Sequence, residues 1–67
     1  MASVVKVIEL ISEGASIEAA IKSAVEEAAK TVKEIKQVNV EHIEALVVKN
    51  KVTKFRLNVK VSFLVER

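Results

Sequence analysis

The stretch VTKFRLNVKVSFLV, residues 52–65, decides the fold. Phe55, Leu57, Val59, Val61, Phe63 and Val65 alternate there with Lys54, Arg56, Asn58, Lys60, Ser62 and Leu64. A strand turns successive side chains to opposite faces, so the first set forms an apolar ribbon. The second forms a polar, basic ribbon broken only by Leu64. The run is longer than a usual strand and rich in β-branched and aromatic residues. One strand cannot bury such a ribbon alone, so the residues before it must supply the cover.

Lys49-Asn50-Lys51 reads as a reversal into this strand, since Asn tolerates left-handed backbone angles. Before it, Gln37–Val48 reads as the other arm of a long hairpin, with Val38, Val40, Ile43, Leu46, Val47 and Val48 as its apolar members. Ile17, Ala20, Ile21, Ala24, Val25, Ala28, Val32 and Ile35 fall at three- and four-residue steps, the stripe of an amphipathic helix of about five turns. Ser16 is its N-cap and Glu18 sits in its first turn. The alanines keep the stripe narrow, so the helix fits close to a sheet. Val4–Ile11 is dominated by β-branched residues and reads as a strand. Ser12-Glu13-Gly14-Ala15, holding the only glycine, reads as a turn. The order is β-α-β-β, an α+β domain over residues 1–67 in which one helix covers a three-stranded antiparallel sheet. Such a sheet has two open edges, and its second face carries Lys54, Arg56, Asn58 and Lys60. Both features favour a symmetric assembly.

Composition narrows the function. A 67-residue chain has a small core, and domains of this size gain support from disulfides, metals or association. Cysteine is absent, and one histidine with no aspartate argues against a structural zinc, which leaves self-association. The hydrophobic fraction of 51% points the same way. A net charge of +2 and a pI near 9.1 are weak grounds for a nucleic-acid partner. No apolar run is long enough to span a bilayer, and Lys6 and Glu9 interrupt any secretory signal, so the expected location is the cytoplasm.

Few polar residues invite chemistry. The planar fork of Arg56 suits a phosphate, a carboxylate or a ring carbonyl between subunits, or else a salt bridge to a neighbouring subunit's glutamate. His42, the lone histidine, could act as an acid, a base or a metal ligand, but with no cysteine or aspartate in the chain an exposed or interface position is expected and not catalysis. Glu41 and Glu44, three apart on a strand, should point to opposite faces. Lys49, Lys51, Lys54, Arg56 and Lys60 form a basic hairpin without an aromatic platform, which reads as a solvated surface and not a nucleic-acid site.

The opening Val5-Val-Lys-Val-Ile-Glu-Leu, the helix Ser16-Ile-Glu-Ala-Ala-Ile through Ala28-Ala-Lys-Thr-Val, and the closing Phe55-Arg-Leu-Asn-Val-Lys-Val-Ser-Phe together resemble the dodecin family. The resemblance implies a hairpin partly wrapped around the helix and a hollow homododecamer built from trimers. It also implies a non-enzymatic role: riboflavin or FMN stored or sequestered between subunits. The ligand-binding positions it picks out are Gln37, where flavin binders carry a stacking tryptophan, Arg56, where they carry a glutamine, and His42, where they carry a carboxylate. With the stacking tryptophan replaced, the competing expectation is a structural shell that holds no flavin and at most calcium or another small ion. Any calcium would lie among glutamates and carbonyls of adjacent subunits, with no recognisable calcium loop to name its ligands. The partners expected are copies of the chain and a small-molecule ligand, with neither nucleic acid nor membrane.

Overall fold

The computed structural model describes residues 3–65; Met1 and Ala2 of the opening stretch, and Glu66 and Arg67, lie outside the described residues. The strand that decides the fold becomes β3, Lys51–Val65, and it sits in the centre of the sheet. β1, Val4–Gly14, and β2, Ile35–Val48, flank it, both antiparallel, in the order β1-β3-β2. The helix α1, Ile17–Ala28, packs mainly on β1 and β3.

The alternation holds residue by residue. Leu57, Val59 and Val61 are fully buried beneath Ala20, Ala24 and Ala28 of the helix, with Ile8, Leu10, Val38 and Val40 packed around them. Each of the three large side chains contributes roughly 1.5–3 kcal/mol by leaving water. The alanines bring helix and sheet into direct contact, as their spacing suggests. Lys49 and Asn50 turn the hairpin with φ of 52° and 65°. Two successive positive φ values are the pattern of the tight turn whose twist matches a hairpin.

Three boundaries differ from the sequence expectation. The helix ends at Ala28, not near Ile35. The amides of Thr31 and Val32 both donate to the Ala28 carbonyl, and the Thr31 hydroxyl reaches it too, closing the helix in a turn. Val32 and Ile35 still pack on the core, but from the connection and from β2. Ser12-Glu13-Gly14 is not a turn; it extends β1 opposite Leu57, Arg56 and Phe55. β2 begins at Ile35 and carries register shifts at three places, one of them between Val40 and His42.

That last shift leaves Glu41 as an extra residue, and an extra residue reverses the side-chain parity beyond it. Glu41 lies near Lys60 (3.7 Å) and Glu44 lies opposite Arg56, so both glutamates occupy the face away from the helix. The expectation of opposite faces fails because it assumed an unbroken pleat.

The sheet is long: the molecule extends 53 Å by 19 Å by 13 Å. β1 stops at Gly14, opposite Phe55, whereas β2 and β3 run on to the turn, so the hairpin tip projects beyond both β1 and the helix. Ile43, Val47, Val48 and Val52 near the tip, and Val5, Val7 and Ile11 along β1, are all more than half exposed. Among the described residues, six buried apolar residues are few for this much exposed apolar surface.

Candidate functional site

Register across the three strands sets out the outer face in rows. Glu13, Arg56 and Glu44 form one row; Ile11, Asn58 and His42 form the next; Val7, Ser62 and Gln37 lie further along. The first two rows, without Glu13, line a shallow depression of about 140 Å³.

Arg56 is held in place. Its Nε and Nη2 both donate to Glu13 Oε2 at 2.8 Å, while Lys54 Nζ donates to Glu13 Oε1 at 2.8 Å. Within one chain Arg56 thus pairs with the glutamate directly across the β1–β3 ladder. Hydrogen bonds from Lys54 and Arg56 hold the Glu13 carboxyl below the ordinary glutamate range. A carboxyl with a lowered folded-state pKa stabilises the fold fully above its unfolded-state pKa and loses that contribution as pH falls through the folded value. The cluster should thus persist at pH 5 and fail only in stronger acid. A carboxyl-carbon NMR titration of Glu13 checks this: a midpoint at or above the ordinary glutamate value means the cluster does not form in solution.

Asn58 Oδ1 is buried and has no hydrogen-bond partner among the described residues. An orphaned buried acceptor is costly. His42 is exposed at the rim. Gln37 is exposed on the same face but belongs elsewhere: it pairs with Ser62, six residues along β3 from Arg56, roughly 20 Å at ~3.3 Å per residue. So the structure brings His42 and Arg56 together and leaves Gln37 apart. Of the basic hairpin residues, Lys54, Arg56 and Lys60 are each matched by a glutamate. Glu13 and Asn58 escaped the sequence reading. Glu13 was legible only through the β1–β3 register, which no short motif announces.

The dodecin family model matches residues 4–66, nearly the whole chain. The chain belongs to the dodecin family. Two variants of the dodecin from T. thermophilus, one arginine-to-alanine and one tryptophan-to-phenylalanine, are 27% identical to it. They superpose with TM-scores of 0.89 and 0.90, each match covering 98% of this chain and 100% of theirs. The dodecin from Streptomyces davaonensis shares the fold at 14% identity, with a TM-score of 0.87 over 97% of both chains. No curated protein sequence matches. This dodecin has no tryptophan or tyrosine with which to stack a ring. Among its described residues no helix is long and apolar enough to cross a membrane. Nor do any three His or Glu side chains among them gather closely enough to hold a metal.

Proposed function

We propose that this dodecin is a non-enzymatic, self-assembling protein that holds a small ligand of flavin type, riboflavin or FMN, between subunits. The observation that carries the reading is the depression on the outer face: it is shallow, and it opens along an apolar edge where Ile11 is 66% exposed. A polar half-pocket rimmed by uncovered apolar surface is what one side of an inter-subunit site looks like before its other side is added. The polar edge of a flavin ring suits the residues present. Its carbonyls accept from Arg56, with Ile11 against the ring. Gln37 lies too far along the sheet to touch the same ring from the same chain, so its share of the pocket comes from a second subunit. His42 at the rim meets the ligand's chain. When bound, the flavin is cargo, and the residues around it hold and shield it.

Flavin fluorescence tests this. Quenching should saturate near one flavin per subunit, and Gln37→Trp should tighten binding by about tenfold or more, because stacking on an aromatic is worth ~1–3 kcal/mol. No quenching by either protein sinks the flavin reading. Native mass should be near twelve times the 7.4 kDa chain, about 89 kDa.

A second reading draws on one further feature. Glu9, Glu13, Glu41 and Glu44 all occupy the outer face, opposite or beside Lys60 and Arg56. Carboxylates from neighbouring copies would suit a hard cation, with the shell otherwise structural. Calcium-dependent melting that a chelator reverses, together with silent flavin titrations, supports it.

A further inference from the structure

On the helix side of the sheet, β1 carries one charge. Val4, Lys6, Ile8, Leu10, Ser12 and Gly14 each pair with an inward-facing residue of β3, so Lys6 stands in an otherwise uncharged row, directly across from Phe63. The helix ends at Ala28 and does not continue over this end of the sheet. The connection that follows it takes over. Residues 31–33, Lys6 and residues 63–65 line a depression of about 470 Å³, within the rough 300–1,000 Å³ range of small-molecule sites. Val32, Phe63, Leu64 and Val65 in its lining are only partly buried. Lys6 and Lys33 border it without a counter-charge. Lys22, Lys30, Lys36, Lys54, Arg56 and Lys60 each form a salt bridge with a glutamate, whereas among the described residues Lys6, Lys33, Lys49 and Lys51 form none. Of these four, Lys49 and Lys51 stand at the hairpin turn, at the other end of β3. We propose that the depression is a separate binding site for a medium-chain alkyl carboxylate: Lys6 and Lys33 hold the head group, and Val32, Phe63 and Val65 cover the chain. It lies on the face opposite Arg56 and does not rest on the flavin reading.

Charge and shape select the ligand together. No carboxylate lines the depression, so both ammonium groups face an anion unopposed. A carboxylate offers one oxygen to each, in charge-assisted hydrogen bonds. A small inorganic anion would leave the apolar lining uncovered, and an uncharged hydrocarbon would leave the two cations unmatched. An alkyl carboxylate answers both, with the lysine stems adding apolar cover along the chain. Protection of a sheet edge is the competing explanation, since an inward-pointing charge on an edge strand discourages wrong pairing, and β1 is an edge strand. That accounts for Lys6. It does not account for Lys33, which lies on the connection between α1 and β2 and yet borders the same depression.

Octanoate, kept below its micelle concentration, is the probe, titrated into the assembled protein at low ionic strength and followed by calorimetry. Binding should saturate and should weaken about twofold to fourfold for each methylene removed from the chain, the factor expected when a methylene leaves a partly or fully apolar site. The double variant Lys6→Gln/Lys33→Gln should bind octanoate at least tenfold more weakly, yet bind 1-octanol as the wild type does. Added salt should narrow the difference between the two proteins. Absence of saturable binding, equal wild-type affinity for octanoate and 1-octanol, or unchanged octanoate affinity in the double variant overturns the proposal. A second measurement needs no variant. Octanoate present during brief acetylation should slow modification of Lys6 and Lys33 at least threefold relative to Lys49 and Lys51, read by peptide mass spectrometry. Equal slowing at all four lysines, or none, overturns the assignment of the site.

Discussion

Val59→Lys should leave no folded protein at 25 °C. Val59 is fully buried at the middle of β3, with Leu10 on one side and Val40 on the other, directly beneath the alanine face of the helix. An ammonium there has no carboxylate within reach on the inner face and no route to water, and burying an unpaired charge costs more than a small domain's entire stability. Circular dichroism should show no cooperative melt. Lys60→Val, the next residue and on the opposite face, should retain a cooperative transition. A soluble, cooperatively melting Val59→Lys protein means that the two faces of β3 have been assigned the wrong way round.

Gly14→Ala is the second large effect expected. A Cβ at Gly14 would lie 2.6 Å from the amide nitrogen of Ala20 and 3.0 Å from the carbonyl carbon of Ala19. These are backbone atoms of the first helical turns, so no side chain can swing aside to make room. The helix must shift off β1, disturbing the bond from the Ser12 hydroxyl to the Ala20 carbonyl and the alanine contacts behind it. Overpacking of this kind costs about 1–3 kcal/mol. For a domain of this size that lowers the melting temperature by several degrees or more. An unchanged melting temperature would show that the strand and helix separate more easily than this contact allows.

The same glycine shows where sequence reading stops. A lone glycine beside Ser and Glu suggests a turn, and the reversal does follow two residues later; but Gly14 has no positive φ and is needed for the close approach of two backbones. Close approach depends on tertiary structure, and nothing local in the sequence encodes it. The helix end was obscured for a related reason. Val32 and Ile35 continue the helical period because they too face the core, although they reach it from other elements. By contrast, β3 was legible throughout, because strict alternation over so long a run has only one reading. So were the Ser16 cap, whose Oγ accepts from the Ala19 amide, and the turn at Asn50. At the site, Arg56 and His42 stood out by residue type and do share the depression. Glu13 and Asn58 did not, since their significance comes from pairing across the sheet and from burial.

The placement of β3 has a consequence for how the chain comes into being. β1 and β2 never pair with each other; each pairs only with β3, which follows both in the sequence. During synthesis the chain emerges in order, so β1 and the helix appear first and must wait without a sheet partner until Lys51 and the residues after it arrive. Contacts between segments so far apart along a chain are slow to form, and unpaired strand edges are prone to wrong partners in the meantime. A nascent chain of this protein is therefore a poor candidate for assembly on the ribosome. Its subunits must complete their last strand before they can recognise one another.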